Sequence, residues 1–285
     1  MIDRNFPFFD AAPLPVGQRL AMAIEYDGQL YQGWQLQKHC IDGTIQGCVE
    51  KALSLLANMP VRVHCAGRTD AGVHASEQII HFDAPCERSV KAWVMGGNTL
   101  LDDAITFKWA IPVDQKFHAR FSANYRRYRY VIYNGSVRSA IMAGKASWEK
   151  MPLDDALMNI EAQCLLGEHD FSAFRAAACQ SLTPMRCIHH VSVSRIADLV
   201  VIDIQANAFL QHMVRNIAGA LLDVGSGRKA PGWTEQVLLT RNRSCGSVTA
   251  LPSGLYLIGV GYPDTYNLPL SDYGPAFLSL RFNDC

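Results

Sequence analysis

The chain has 285 residues, 49% of them hydrophobic and 18% charged, with 26 cations balancing 26 acids. That size fills one large core or two modest ones; the 12 Phe, 10 Tyr and 5 Trp exclude a disordered chain, and 21 Gly and 13 Pro without a three-residue period exclude a collagen. No run approaches the roughly 18 apolar residues of a membrane span, and Asp3, Arg4, Asn5 and Pro7 interrupt the N-terminus before a secretory signal could form, so a cytoplasmic protein without membrane attachment is expected.

In chain order, RLAMAIEY at 19–26 predicts a strand and TIQGCVEKALSLLA at 44–57 a helix with Thr44 as its N-cap. Short strands follow at 61–65 and 78–83, then a helix over 89–99 started by Ser89 and a strand over 104–111 ended by Pro112. The second half reads as a strand at 126–133, a helix at 154–166, and a hairpin of strands 188–195 and 199–206 turning near Ala197 and Asp198. Helices at 210–224 and 233–240 and a strand at 255–262 complete it. Each half thus has the order β-α-β-β-α-β. The expectation is an α+β protein of two tandem ferredoxin-like, RRM-like domains with mostly antiparallel sheets. We place an N-terminal arm at 1–17, domains at 18–115 and 116–265, and a tail at 266–285. Residues 33–44 and 134–152 are the longest internal loops, where binding residues tend to sit.

Nine Cys without a C-x-x-C pair argue against a zinc ribbon or disulfide framework and read as reduced thiols. The spacing of Cys179, Cys187, His189 and His190 is too loose for a metal centre, and no metal is expected. The charge balance conceals an asymmetry: residues 116–150 hold eight Lys and Arg against the single acid Glu149. Such a segment suits either the neutralisation of phosphates or a solvated face balanced by acids elsewhere.

Chemistry concentrates at three places. In CAGRTDAGVHA (65–75), Asp70 stands between Gly67 and Gly72 and follows Arg68. By residue type alone Asp70 fits a turn former, with a nucleophile as the rival reading. In the strand 126–133, Tyr128 and Tyr130 point to one face and Arg127, Arg129 and Val131 to the other, a mixture that suits unpaired bases and phosphates but also any β-rich strand. In FLQHMVRNIAGALLDVG (209–225), the helix is apolar nearly all round. Arg215 there is either at an edge or a buried cation needing an anionic partner, and an acid such as Asp70 beside it would stay ionised. Glu168, His169 and Asp170 read as a helix-exit loop.

GRTDAGVHA at 67–75, FHARFSAxxRRYRY at 117–130 and NAFLQHMVRN at 207–216 resemble the tRNA pseudouridine synthase A family. The resemblance extends from EYDGxxYxGWQ at 25–35 to GLYLIGVGYPD at 254–264. It implies that Asp70 is the catalytic aspartate, replacing the turn-former reading. It implies further that Tyr128 stacks on the target uracil, that Arg215 pairs with the aspartate, and that Arg68 fills the space left by a flipped nucleotide. Arg126 and Arg127 join the expected substrate-binding set. The resemblance also implies action on uridines 38, 39 and 40 beside the anticodon of tRNA, by a homodimer without cofactor, in a cleft between the two domains.

Two other readings compete. A non-catalytic pair of RRM-like modules would explain the basic segment and the tyrosines but leaves GRTDAGVH unused, and the RNA-binding signature expected on such a strand is missing. A nucleoside hydrolase would ask for a second carboxylate or a metal near Asp70, and neither is evident.

Overall fold

The computed structural model describes residues 11–37, 40–269 and 274–278. Parts of the expected arm (1–10) and tail (270–273 and 279–285) therefore lie outside the described residues. The chain divides into two units, one running to Asn124 and resuming at Ile258, the other spanning Tyr125–Leu257.

The first unit carries β1 (Pro13–Leu14), β2 (Arg19–Tyr26), α1 (Ile45–Ala57), β3 (His64–Cys65), β4 (His74–Asp83), β5 (Arg88–Ser89) and β6 (Ile105–Pro112). The unbroken apolar run Leu20–Ile24 makes β2 a central strand, buried over that run and hydrogen-bonded to β4 and β6, both antiparallel. Arg19 and Asp83 face each other in that register, and their side chains close the pair at 2.8 Å. Pro112, which lacks a ladder donor, ends the edge strand β6. Thr44 caps α1 as expected, its hydroxyl accepting the Gly47 N–H, and Asn58 in the left-handed region ends it. Ile45, Val49, Ala52 and Leu53 lie on one helical stripe and are buried. Ala21, Ala23, Ile79, Trp109 and Phe117 form a core cluster to which Val260, Tyr262, Tyr266 and Leu268 add from the returning segment.

Several expectations shift in this unit. The strand expected at 61–65 is only His64–Cys65, whereas β4 starts at His74 rather than 78, because its first residues are polar but buried. The helix expected at 89–99 starts from Ser89, whose hydroxyl accepts the Ala92 N–H, and widens to a π-turn over Ala92–Gly96.

The second unit carries β7 (Tyr125–Tyr133), β8 (Ser147–Trp148), α2 (Asp155–Ala162), β9 (Gly167–Asp170), β10 (Met185–Ile196), β11 (Leu199–Ala206), α3 (Met213–Gly225) and α4 (Trp233–Thr240). β12 (Leu255–Gly261) returns the chain to the first unit. The strand order β7-β11-β10-β9 is antiparallel throughout, and β8 runs parallel to β7 inside the expected 134–152 loop. The hairpin turns at Ala197, whose φ is 51°, and Asp198. α2 stops at Ala162 and tightens into a 3₁₀ turn over Gln163–Leu165. α3 starts at Met213 rather than 210, because His212 sits in the left-handed region at φ 61°. Glu168, His169 and Asp170 are not a loop but the edge strand β9, registered on Cys187, Arg186 and Met185; pairing with β10 overrides their weak strand preference. The architecture is mixed α/β with mostly antiparallel strands. No helix among the described residues is long and apolar enough to cross a membrane.

Candidate active site

In the first unit, Arg68 and Asp70 occupy the connection from β3 to β4. Arg68 is exposed and Asp70 half-buried, while Thr69 between them is buried. The backbone of this loop is held at each step. Gln78 grips Gly67 twice, its Nε2 donating to the Gly67 carbonyl at 2.5 Å and its Oε1 accepting the Gly67 N–H at 3.3 Å. The Trp34 N–H donates to Thr69 O at 2.9 Å, and the Tyr26 and Thr69 hydroxyls share a buried hydrogen bond of 2.7 Å. Gly72 donates to the Tyr31 carbonyl at 3.2 Å and Val73 to that of Asp70 at 3.2 Å.

Tyr26, Tyr31 and Trp34 belong to EYDGxxYxGWQ, so this motif and the Asp70 loop form one structure. Its two glycines make the approach possible. A Cβ on Gly28 would overlap the Val73 carbonyl, and one on Gly33 would stand 2.7 Å from Thr69 O and 2.9 Å from the Asp70 carbonyl carbon. Gly33 also has φ +90°. Residue types in 25–35 pointed to no such role; only tertiary contact reveals it.

In the second unit, β7 sorts its side chains by face. Tyr128 is 7% exposed, its ring edge-on to Phe209 at 5.1 Å and 85°. Arg126 shares that face and is buried, its Nη1 donating to the Asn207 carbonyl at 3.1 Å. Arg127 and Arg129 take the other face, where Asp203 binds both, at 2.6 Å and 2.9 Å. Two of the eight cations in the basic segment thus share one carboxylate within the sheet. Tyr130 lies deeper, on the same face as Tyr128: burial pushes its phenol up to about 12, opposed by a hydrogen bond with Ser147 and the charge of Arg215, and its hydroxyl donates to the Leu251 carbonyl at 2.9 Å.

Arg215 lies in the first turn of α3, where the helix dipole disfavours a cation. It is half-buried and fixed by a reciprocal pair: its Nε donates to Ala250 O at 2.8 Å and the Ala250 N–H donates to Arg215 O at 3.1 Å. Tyr130 and Arg215 therefore bind the adjacent carbonyls of Leu251 and Ala250, which ties the strand of Tyr128 to the helix of Arg215. Buried Asn216 steadies the segment before them. Its Oδ1 accepts from Thr249 Oγ1 at 2.7 Å and from Arg243 at 3.1 Å, while its Nδ2 donates to Phe174 O at 2.7 Å. The sequence shows Asn216 only as a polar interruption of an apolar helix. Among the described residues, no three or more His, Cys, Asp or Glu side chains are grouped to hold a metal ion.

Comparison with known proteins accounts for these features together. A family model described as tRNA pseudouridine synthase matches residues 22–122 and 162–263. The first segment includes Arg68 and Asp70 and the second Arg215, while Tyr128 lies between them. The chain is 53% identical over 260 residues to tRNA pseudouridine synthase A of Coxiella burnetii, covering 91% of this chain and 99% of that protein. It is 52% identical over 260 residues to the protein of the same name from Legionella pneumophila, covering 91% and 98%. With a braced aspartate loop in one matched segment and an anchored arginine in the other, the chain belongs to the tRNA pseudouridine synthase family.

Proposed function

We propose that the protein isomerises uridine to pseudouridine at positions 38, 39 and 40 in the anticodon stem-loop of tRNA, with Asp70 as its essential carboxylate. The observation that carries this reading is the half-buried Asp70 on a backbone held by Trp34, Tyr26 and Gln78, a rigid mount for a group that must meet a ribose. The nitrogen–carbon glycosidic bond breaks, the uracil turns over, and a bond from uracil carbon 5 to the ribose replaces it, while carbon 5 loses its proton and the freed ring nitrogen takes one up. Substrate and product are isomers, so the chemistry asks for no redox cofactor. Asp70 acts as an anion, by attack on the ribose or by assisting elimination there, and Arg215 favours its ionised form.

The base must leave its stack, at a cost of a few kcal/mol. Stacking on Tyr128, of roughly 1–3 kcal/mol, offsets part of this, and Arg68 fills the vacated space. Arg126 and Arg127 complete the binding set from the two faces of β7. The β-α-β-β-α-β order of each half, with β2 flanked by β4 and β6, supports reading the two units as ferredoxin-like. A homodimer is part of the proposal: with a net charge of zero, two copies bring two basic segments to one RNA. A cytoplasmic location is part of the same proposal, in keeping with a tRNA substrate. The family assignment does not favour the non-catalytic RNA-binding reading.

The test is tritium release from tRNA labelled at carbon 5 of uridine. Wild type releases tritium, whereas Asp70→Asn releases none yet binds tRNA with little change. Arg215→Lys keeps part of the activity and Arg215→Met very little. Activity in Asp70→Asn would remove the aspartate from its role, equal activity in the two Arg215 variants would remove the pairing, and free uracil as product would make the protein a hydrolase.

A further inference from the structure

A row of aromatic rings runs from the core of the first unit to its surface. Phe117, fully buried, meets His81 edge-on at 6.0 Å and 87°. His81 lies 4.5 Å from His118 and stacks on His64 at 4.9 Å and 20°. His118 meets Phe121 at 4.3 Å and 33°. Exposure rises along the row: His81 is buried, His118 partly exposed, and Phe121 75% exposed.

This exposed ring is mounted rather than incidental. The Nδ1 of His118 accepts the N–H groups of Arg120 at 3.1 Å and Phe121 at 3.3 Å, and the Nδ1 of His81 accepts that of Ala119 at 3.1 Å. The Ser122 N–H donates to His118 O at 2.9 Å, and the His118 N–H to Ser122 Oγ at 3.0 Å. Accepting at Nδ1 requires neutral imidazoles with the proton on Nε2. Burial, with His118 and His64 nearby, lowers His81 to about 3, and burial with the charges of His64, Arg19 and Arg120 lowers His118. The turn carrying Phe121 is therefore intact at neutral pH.

Positive charge flanks the ring. The Arg120 guanidinium is 5.5 Å from the Phe121 ring centre. The charges of Arg68 and Arg120 both oppose the burial that pushes the Cys65 thiol up to about 12. β3, which contains His64 and Cys65, leads directly into that loop. A flat exposed ring, backed by a second ring and accompanied by one guanidinium, is the chemistry that takes an unpaired base together with its phosphate.

We propose that Phe121, backed by His118, stacks on one unpaired base of the substrate RNA, with Arg120 on the adjoining phosphate. The inference rests on the tRNA reading above and adds a contact beyond the target uridine. The probe is an unmodified tRNA transcript, with derivatives carrying a single abasic nucleotide at successive positions of the anticodon loop, and the readout is the dissociation constant by filter binding. Phe121→Ala weakens binding about 5- to 100-fold, Phe121→Leu does the same, and Phe121→Trp restores it to within about threefold. One abasic position weakens wild-type binding by the same factor and adds nothing in Phe121→Ala. Arg120→Ala lowers the slope of log affinity against log salt by about 1.

Unchanged affinity in Phe121→Ala, rescue by Leu as fully as by Trp, or loss of self-association at unchanged RNA affinity would each overturn the proposal. The last outcome would assign the ring to contact between copies. Failure of the catalytic reading is separable. A wild type that releases no tritium while the binding pattern holds refutes the isomerase alone, and an active wild type with indifferent Phe121 variants refutes the platform alone.

Discussion

Gly33→Ala is the sharpest test of the braced aspartate loop. Two costs can be read from the structure. The φ of +90° places a side-chain-bearing residue in a region that costs about 1–2 kcal/mol. The new Cβ would also stand 2.7 Å from Thr69 O, 2.9 Å from the Asp70 carbonyl carbon and 3.0 Å from Ala71 N, all backbone atoms. Ordinary contact begins near 3.5 Å, so the loop must retreat by about 0.5–0.8 Å, adding about 1–2 kcal/mol. A 1 Å misplacement costs on the order of 100-fold in rate, so half that distance costs about tenfold. Gly17→Ala is the matched control, because Gly17 has φ +83° with nothing within 4 Å of its would-be Cβ. In urea unfolding, Gly33→Ala should lose about 2–4 kcal/mol and Gly17→Ala about 1–2 kcal/mol. In tritium release, kcat should fall about tenfold or more for Gly33→Ala and stay unchanged for Gly17→Ala. If Gly33→Ala kept wild-type kcat, or lost no more stability than Gly17→Ala, the loop would not be positioned by this contact.

His81 should make stability fall with acid. Its folded value lies near 3 and its ordinary value near 6.5, so below about pH 6.5 the unfolded chain takes a proton that the folded chain refuses. The contribution is complete above that pH and declines at about 1.4 kcal/mol per pH unit, reaching about 2 kcal/mol at pH 5; urea unfolding of His81→Gln should show a shallower slope by that amount. Asp203→Asn leaves Arg127 and Arg129 side by side without their shared carboxylate, and should cost about 2–3 kcal/mol in the same assay. Tyr130→Phe orphans the Leu251 carbonyl and should cost about 1–2 kcal/mol with kcat nearly unchanged. Tyr128→Leu, which loses the flat ring at the proposed uracil, should lower kcat/KM by at least about tenfold, and should also cost about 1–3 kcal/mol of stability because the ring is buried against Phe209.

Elements governed by local rules were legible in the sequence. Thr44 capped its helix and the run 19–26 formed its strand with both ends as expected, because a cap hydroxyl and an apolar run act within a few residues. β4 was read too short because His74, Ser76, Glu77 and Gln78 are polar yet buried, and Gln78 and His74 use their polarity to hold the loop and Gly28. β9 was missed because only its neighbour β10 makes Gly-Glu-His-Asp a strand. At the site, the literal GRTDAGVHA run singled out Asp70, but not the glycines that let the 25–35 motif reach it. Arg127 drew notice for its charge, whereas its partner Asp203 lies 76 residues along the chain, beyond any local pattern.

The path of the chain bears on how the protein is made. The unit that carries Asp70 begins at the N-terminus, yet its core awaits Val260, Tyr262, Tyr266 and Leu268, which leave the ribosome after all of the second unit. Tyr262 packs on Phe117 at 5.1 Å and donates its hydroxyl to Ala119 O at 2.6 Å, so this late segment closes over the residues beneath the aromatic row. During synthesis the intervening unit can fold first while the earlier-made sheet stays unfinished. A nascent chain halted before Ile258 would hold the Asp70 loop on its own local hydrogen bonds above a core cluster that lacks its last side chains, making completion of translation a condition for a finished core beneath it.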